Sequence, residues 1–322
     1  MNKILLTGAA GFIGMKTAQQ LLEKDHEVVG IDNLNDYYDL QLKKRRLSIL
    51  KNYQNFSFQH LDIEKLEDLK NLFNTFKFTA VINLAARAGV RYSMENPFVY
   101  VTTNVLGNTN LLELSKRHNV SKFILASTSS LYAGQQMPFP ETLAVNTPIS
   151  PYAATKKGAE MMCYAYNYLY NLNITVLRFF TVYGPLGRPD MSIFRFMKLI
   201  DEGKPIEVFG DGNQKRDFTY IDDIVEGIVS ALKPLDFQII NLGGNKSVKL
   251  NYVIELIEKN LGKKAEIIHK DFHKADMKAT WADISKARQM LNWQPQISIE
   301  QGIEKTACWW KENRDWLKNI TI

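Results

Sequence analysis

Two residues with acid–base potential, Tyr152 and Lys156, stand four positions apart in the sequence. On a helix this spacing places both side chains on one face. A free phenol, with a pKa of about 10, is a poor base at neutral pH, but a neighbouring ammonium group favours the phenolate and lowers that pKa. The pair therefore predicts a general base. The same spacing also occurs where a tyrosine packs beside a solvated lysine, so other features must support this interpretation.

A run of hydroxyl side chains follows a predicted strand at residues 122–126. It consists of Ser127, Thr128, Ser129 and Ser130. At the carboxyl end of a parallel strand, such hydroxyls would face the place where α/β proteins bind ligands, and they could hold a substrate hydroxyl in a reactive geometry. Taken singly, each residue is equally compatible with a polar loop.

A glycine-rich turn follows the first predicted strand and begins the first predicted helix. Glycine permits both a tight turn and the close approach of a pyrophosphate, and the start of a helix offers free N–H groups to phosphate. This strand–turn–helix setting predicts dinucleotide binding. The cofactor-binding candidates in the turn are Gly8, Ala10, Gly11, Phe12, Ile13 and Gly14.

An acidic residue, Asp32, ends the second predicted strand, where a carboxylate can accept hydrogen bonds from both ribose hydroxyls of an adenosine. The same carboxylate repels a 2′-phosphate, so NAD is favoured over NADP. Asp62 and Ile63, after the third strand, are predicted to contact the adenine. Further candidates along the cofactor path are Asn33, Asn35, Leu84, Ala85, Ala86, Ser127, Tyr152, Lys156 and Phe179.

The elements that must position these residues alternate between short apolar strands and amphipathic helices. This alternation predicts an α/β fold with a Rossmann-type doubly wound parallel sheet covered on both faces. After about residue 184 the alternation breaks down, except for a strand at 237–241 that should return to the sheet. We predict an NAD-binding domain of residues 1–183 plus about 217–247, and a smaller C-terminal substrate-binding cap of about 184–216 plus 248–322.

Composition narrows the functional class. The chain has 322 residues, 45% of them hydrophobic, which suits a globular protein with a large core. Its net charge of +6 is spread along the chain, apart from a basic run at residues 43–46 that we interpret as a solvated helix face, so nucleic-acid binding is not predicted. The two cysteines, Cys163 and Cys308, indicate a reducing compartment. We therefore expect a cytoplasmic protein without a membrane span or a metal site.

These features together resemble the extended short-chain dehydrogenase/reductases over essentially the whole chain. The glycine turn, the hydroxyl run at 127–130 and the Tyr152–Lys156 pair carry the resemblance. Within that family, several other segments are similar to those of UDP-glucuronate 4-epimerases. These segments are residues 32–38, 88–93, 177–185, 187–191 and 215–223.

The resemblance implies an epimerisation at C4 that converts UDP-glucuronate to UDP-galacturonate through a transient 4-keto intermediate. In this role Tyr152 would take the proton of the sugar 4-hydroxyl while a hydride passes from C4 to NAD. Thr128 would hydrogen-bond that hydroxyl, and Lys156 would hold the nicotinamide ribose. Because the hydride returns to the other face of the sugar, NAD is regenerated and should stay bound.

The resemblance also implies which residues hold the UDP-sugar. Arg216 matches a pyrophosphate-binding arginine, Val208 and Phe209 match a strand at the nucleobase, and Asp276 matches a ribose-binding aspartate. His273 stands where some relatives carry a second arginine, which weakens the match at the phosphates. Serine, threonine and arginine side chains match positions at or near a substrate carboxylate. The other substrate-binding candidates are Arg91, Thr128, Ser129, Ser130, Thr181 and Arg188.

The residues leave four alternatives to this activity. A neutral sugar would make the chain a UDP-glucose 4-epimerase, if the arginines assigned to the sugar are solvated instead. Related dehydratases and decarboxylases carry acidic residues near the catalytic hydroxyl, whereas this chain has Ser129 and Ser130 there. A dehydrogenase that releases NADH, or a non-catalytic NAD-binding protein, would keep the same fold.

The resemblance further implies a homodimer formed through helices at about 98–117 and 152–170.

Overall fold

The apolar segments expected to be strands form one parallel seven-stranded sheet in a computed structural model, which describes residues 2–272 and 276–322. The strands of the chain are β1 (Lys3–Thr7), β2 (Glu27–Asp32), β3 (Phe56–His60), β4 (Ala80–Asn83), β5 (Lys122–Thr128), β6 (Ile174–Phe179), β7 (Thr181–Tyr183), β8 (Ile206–Phe209), β9 (Lys215–Tyr220), β10 (Phe237–Leu242), β11 (Ser247–Lys249) and β12 (Ile267–Lys270). The order across the large sheet is β10-β6-β5-β4-β1-β2-β3. The strand order therefore reverses between β1 and β4, and a crevice opens at the carboxyl ends of strands at such a reversal. The predicted Rossmann-type doubly wound sheet is confirmed.

Helices connect the strands and carry several of the candidate residues. They are α1 (Phe12–Glu23), α2 (Leu40–Leu50), α3 (Leu66–Thr75), α4 (Val90–Glu95), α5 (Phe98–Tyr100), α6 (Asn108–Arg117), α7 (Pro151–Tyr170), α8 (Ser192–Asp201), α9 (Ile221–Ser230), α10 (Leu250–Leu261), α11 (Ser285–Leu291), α12 (Ile299–Glu312) and α13 (Arg314–Leu317). A π-helical segment, Val101–Gly107, joins α5 to α6 in place of the single long helix expected there. Ser150 caps α7, because its hydroxyl accepts the Ala153 N–H at 3.2 Å. This cap starts the helix directly before Tyr152.

Two hydrophobic clusters cover opposite faces of the large sheet. Along β1, Ile4 and Leu6 belong to one cluster and Leu5 to the other, because successive side chains of a strand point to opposite faces. All three side chains are fully buried. Both faces of the sheet are therefore covered by helices, as the continuous apolar strands predicted.

The later part of the chain adds two small sheets. One has the order β11-β9-β7, and in the other β8 pairs in parallel with β12. β10 then pairs with β6 at the edge of the large sheet, so the predicted return of a late strand is confirmed. The boundaries between the two predicted domains stay a prediction.

The basic run at residues 43–46 lies on α2. The prediction that it forms a solvated helix face was wrong for two of its four residues. Lys44 and Arg45 are exposed, whereas Lys43 is 4% exposed and Arg46 is fully buried. The Lys43 ammonium lies 3.5 Å from a buried carboxylate, and Arg46 donates to backbone carbonyls and to a phenol. Both side chains meet groups that come from other parts of the chain.

Within residues 2–272 and 276–322, no helix is both long enough and apolar enough to cross a lipid bilayer. The two cysteines are free thiols. Cys163 is buried on α7, and Cys308 is exposed on α12.

Candidate active site

The glycine-rich turn between β1 and α1 lies at the reversal of strand order. Gly8 has a φ of +70°, and a Cβ there would lie 2.9 Å from the Ala85 nitrogen. A Cβ at Gly14 would lie 2.0 Å from the Gly8 carbonyl oxygen. Only glycine therefore allows α1 to begin this close to the turn and to the end of β4. The first residues of α1 face a cleft, so free N–H groups at its start are available to a phosphate.

This cleft encloses about 1150 Å³ along the carboxyl ends of the central strands. Its walls contain all but one of the residues predicted to bind the cofactor. These are Gly8, Gly11, Phe12, Ile13, Gly14, Asp32, Asn33, Asn35, Asp62, Ile63, Leu84, Ala85, Ala86, Ser127, Tyr152, Lys156 and Phe179. The exception, Ala10, is buried, and its N–H donates to the Asp32 carboxylate at 3.2 Å. That these residues contact NAD stays a prediction.

Neighbouring groups hold Asp32 in one orientation. Besides the Ala10 N–H, its carboxylate accepts the Leu34 N–H at 2.9 Å and faces the Lys43 ammonium at 3.5 Å. Local sequence does not distinguish Lys43 from the exposed Lys44, so its place in the cleft was missed. Other cleft residues that were missed include Tyr37, Tyr38, Arg87 and Thr103. The two tyrosines lie in the segment 32–38 that carries the family resemblance, which was an available signal.

The catalytic candidates lie where the cofactor cleft meets a second cavity. Tyr152 and Ser127 line both spaces, Lys156 lines the cofactor cleft, and Thr128 lines the second cavity. The structure therefore brings together the helix pair and the hydroxyl run, which stand in different elements. Their catalytic roles stay a prediction, although the arrangement allows a proton acceptor to face both spaces.

The electrostatics of Tyr152 differ from the sequence-based expectation. Burial raises the pKa of the Tyr152 phenol, and a hydrogen bond with the Thr128 hydroxyl only partly offsets the rise. Burial also lowers the pKa of the Lys156 ammonium to about 8, an effect that the Glu160 carboxylate opposes. In the protein without a bound cofactor, desolvation therefore outweighs attraction by neighbouring cations, and the lysine alone does not lower the Tyr152 pKa. A further positive charge in the cleft would be needed to favour the phenolate.

A buried polar network lies beneath this junction. Glu160 accepts the Ser127 hydroxyl at 2.6 Å and two N–H groups of Arg178, at 2.9 Å and 2.7 Å. Arg178 donates to the Tyr132 hydroxyl at 2.8 Å, and that hydroxyl donates to Asn241 at 2.8 Å. Because both charges are almost fully buried, each needs the other to offset its loss of hydration. The network thus fixes Ser127 at the end of β5, and nothing local in the sequence predicted it.

The second cavity encloses about 2390 Å³ and contains most of the predicted substrate-binding residues. These are Arg91, Thr128, Ser129, Ser130, Thr181, Arg188, Arg216 and Asp276. The prediction for Val208 needs correction, because its side chain is buried in the core. Side chains alternate along a strand, so Glu207 and Phe209 face the cavity in its place.

One wall of the second cavity joins α4 to the segment after β12. The Arg91 guanidinium pairs with the Asp276 carboxylate at 2.8 Å and lies 3.7 Å from the centre of the Phe209 ring. A flat guanidinium over an aromatic ring is a favourable stacking geometry. Burial lowers the pKa of Arg216, and Asp276 opposes that shift. The predicted departure from relatives at His273 lies outside the described residues.

Arg188, which follows β7, also lines this cavity. Its Nε donates to the Asp190 carboxylate at 3.0 Å, and its guanidinium carbon lies 5.5 Å from the centre of the Tyr37 ring. Arg188 lines both the cofactor cleft and the second cavity. In the parts of the chain described, histidine, cysteine and acidic residues form no cluster suited to a metal ion.

A family model described as GDP-mannose 4,6 dehydratase matches residues 5–306, nearly the whole length of the fold. The chain belongs to this family of extended short-chain dehydrogenase/reductases. The match spans the glycine turn, the hydroxyl run and the Tyr152–Lys156 pair, so the resemblance inferred from those residues is confirmed.

Several members of the extended short-chain dehydrogenase/reductases are similar to the chain over its full length. A UDP-glucuronate 4-epimerase from Thermodesulfobacterium geofontis is 57% identical, with 100% of each chain covered. A solved structure of the UDP-glucuronic acid 4-epimerase from Bacillus cereus in complex with UDP-glucuronic acid and NAD has a TM-score of 0.92 and 40% identity, covering 96% of this chain and 99% of that one. A UDP-glucose 4-epimerase from Thermotoga maritima with UDP-glucose has a TM-score of 0.89 and 31% identity, covering 97% and 99%.

Proposed function

We propose that the chain is an NAD-dependent UDP-glucuronate 4-epimerase, which interconverts UDP-glucuronate and UDP-galacturonate. The observation that carries this proposal is the position of Tyr152. Its side chain borders both a dinucleotide-sized cleft and a cavity with hydroxyl and guanidinium groups. The similarity to epimerases of UDP-glucuronic acid supports the same activity.

The cofactor cleft fits NAD on its own geometry. Any Cβ at Gly8 or Gly14 would collide with backbone atoms of the turn or of the segment after β4, so the backbone stays open to a pyrophosphate. Asp32 lies where it can accept both ribose hydroxyls, which favours NAD over its 2′-phosphorylated form. When bound, NAD would accept a hydride from the sugar and return it, and its oxidised ring would add a positive charge beside Tyr152.

Tyr152, Thr128 and Lys156 divide the proton chemistry in this proposal. Tyr152 takes the proton of the sugar 4-hydroxyl when C4 is oxidised and gives it back when C4 is reduced. The Thr128 hydroxyl, which helps to lower the pKa of the phenol, holds the same sugar oxygen. Lys156 holds the ribose next to the reacting ring, and its charge favours the phenolate once the added positive charge of the cofactor reduces the effect of burial.

The carboxylate of a uronic acid would be held by hydroxyl groups and by Arg188. Ser129, Ser130 and Thr181 share the second cavity with this guanidinium, and a buried carboxylate needs such partners. The serines also take the place of the acidic residues that elimination requires, so dehydration is disfavoured.

One observation favours a second candidate, a UDP-glucose 4-epimerase. Asp190 already pairs with Arg188 at 3.0 Å, so part of the positive charge available to a carboxylate is neutralised. A neutral sugar would leave that pair undisturbed. The similarity to a UDP-glucose 4-epimerase at 31% identity is compatible with this activity as well.

The two candidates are separated by incubating the purified protein with UDP-glucuronate and, in parallel, with UDP-glucose, followed by chromatographic resolution of the C4 epimers. We expect UDP-galacturonate from the first substrate, without net formation of NADH or carbon dioxide. Conversion of UDP-glucose alone would overturn the carboxylate assignment. Stoichiometric NADH would instead identify a dehydrogenase, and carbon dioxide a decarboxylase.

The UDP part of the substrate is assigned to Arg216, Asp276 and the exposed face of Phe209. Arg216 lines the cavity without an anionic partner within 4 Å in residues 2–272 and 276–322, which leaves its charge available to a pyrophosphate. Phe209 offers an aromatic ring for a nucleobase. In the domain division that we propose, these residues belong to the substrate-binding part, about 184–216 plus 248–322.

We also propose a cytoplasmic homodimer. Large apolar side chains are exposed on the segment 98–106 and on α7, including Phe98 at 79% and Tyr168 at 74%. The others on these two elements are Val101, Leu106, Met161, Tyr164, Leu169 and Tyr170. Two such helical faces suit a self-complementary helix bundle. Sedimentation should give a dimer for the wild type and a monomer for Tyr168→Glu, whereas a monomeric wild type would overturn the assignment.

A further inference from the structure

Arg46 on α2 uses every hydrogen-bond donor that its side chain has. Its Nε and Nη2 donate to the Leu186 carbonyl at 3.2 Å and 2.8 Å, and Nη2 also donates to the Gly187 carbonyl at 3.0 Å. Nη1 donates to the Ala10 carbonyl at 3.1 Å and to the Tyr38 hydroxyl at 2.6 Å. These five bonds match the five N–H groups of a guanidinium. A lysine, with three donors on one atom, cannot reproduce them.

The two carbonyls beyond β7 belong to a strained turn. Leu186 is buried and has a φ of +57°, a left-handed conformation that is unfavourable for a residue with a branched side chain. Three of the Arg46 bonds end on Leu186 and Gly187 and so stabilise this conformation. The direction of the chain after the turn places Arg188, which lines the cofactor cleft and the sugar cavity.

The third carbonyl acceptor, that of Ala10, belongs to the glycine-rich turn of the cofactor cleft. One buried guanidinium therefore joins that turn to the turn before Arg188, although 140 positions separate Arg46 from Leu186. No carboxylate lies within 4 Å of Arg46 in the described part of the chain, so its permanent charge is met by neutral oxygens alone. Such an arrangement leaves a positive field beneath the turn where a dinucleotide pyrophosphate would bind.

We propose that Arg46 is a positioning residue that couples the cofactor turn to the Arg188 turn, so that its contacts hold Arg188 where it can grip the substrate carboxylate. This inference rests on the proposed function for the identity of that carboxylate. It assigns no contact with substrate to Arg46 itself. It also explains why α2 carries a buried cation in a run whose two middle residues, Lys44 and Arg45, are exposed.

The test compares the holoenzyme variants Arg46→Lys and Arg45→Lys, which make the same chemical change at a buried and at an exposed position. Hydrogen exchange in residues 184–191 should speed up in Arg46→Lys and stay at the wild-type rate in Arg45→Lys. This readout does not depend on which sugar the enzyme uses, so it separates this inference from the proposed function. Unchanged exchange in Arg46→Lys would overturn the coupling.

Calorimetry of UDP-glucuronate and of UDP measures the effect on the carboxylate. We expect Arg46→Lys to weaken UDP-glucuronate binding about tenfold and UDP binding less than twofold, because the change acts through Arg188. In a double-mutant cycle of Arg46→Lys with Arg188→Gln, the double variant should bind UDP-glucuronate no more weakly than Arg188→Gln alone. Additive losses, or equal losses for UDP, would show a merely structural role. If Arg46→Lys does not fold, Tyr38→Phe removes one of the four acceptors and should give a smaller rise in exchange over the same segment.

Discussion

The cofactor cleft and the sugar cavity of this protein are built in different ways. The cofactor cleft lies along the carboxyl ends of the strands. Most of its wall comes from the first 88 residues, which contribute the neighbouring strands β4, β1, β2 and β3. The sugar cavity uses side chains from segments as far apart as Arg91 and Asp276, which meet in an ion pair. Turn geometry therefore forms much of one site, whereas the other depends mainly on long-range packing. A substitution at a residue that lines only one of the two sites should therefore change ligand binding at that site and leave binding at the other unchanged.

The largest effect is expected at the junction. Tyr152→Phe removes the proton acceptor without changing the shape of either space, so epimerase activity should fall by roughly 10²–10⁴-fold. Both NAD content and UDP binding should match the wild type. The control Tyr252→Phe removes a phenol that is 39% exposed on α10 and should retain full activity. If Tyr152→Phe kept more than about a tenth of the activity, another group would be the base.

A smaller effect confined to the cofactor cleft is expected from Asp32→Ser. Losing a charged acceptor of ribose hydroxyls should weaken NAD binding about tenfold to a hundredfold, while UDP binding stays constant. NADP binding should tighten, because the Lys43 ammonium, 3.5 Å from Asp32, would be free to pair with a 2′-phosphate. Fluorescence titration of NAD-free protein with both dinucleotides measures this change.

Asp36→Ser provides the matched control, since Asp36 is exposed four residues later and lies outside the cleft wall. It should leave both dinucleotide affinities unchanged. A loss of UDP affinity in Asp32→Ser would contradict the separation of the two sites. It would also show that coupling between them reaches beyond the Arg46 contacts.

The same contrast explains how far the sequence predicted the molecule. The strands and the Asp32 position were predictable because spacing along the chain determines them, and the strand predicted at residues 122–126 lies within β5. Lys43 and Arg46 were misassigned because their partners, among them the carbonyl of Leu186, come from other parts of the chain. Only packing decides which residues of a basic run become buried.

The alternation of side chains along a strand was the other source of error in the predicted site. In β8, a shift of one residue exchanges the core face for the cavity face, so Val208 is buried and Phe209 is available. The Glu160–Arg178 pair was not predictable either, because an acid on α7 and a cation on β6 carry no local mark of their contact. Sites formed by backbone are thus easier to predict than sites formed by side chains.

The last effect concerns the stability of the cofactor cleft and not its activity or affinity. Burial lowers the pKa of Lys156 from 10.5 to about 8, and Lys156 has no carboxylate within 4 Å in residues 2–272 and 276–322. Lys156→Met should therefore stabilise NAD-free protein at pH 7 by about 1–3 kcal/mol, although activity is lost. At pH 7 the lysine is charged in both the folded and the unfolded state, so the folded state carries the full cost of burial.

As the pH rises from about 8 to about 10.5, the folded state loses this proton while the unfolded state keeps it. The stability of the wild type should therefore rise relative to Lys156→Met. The difference in the free energy of unfolding between the two proteins, called the gap below, should narrow across this pH range. Urea unfolding at several pH values measures the gap, with Lys44→Met as the control for an exposed lysine on α2. A gap that stays constant with pH would mean that Lys156 is not destabilised by burial, and that the cofactor cleft carries no such stability cost before NAD binds.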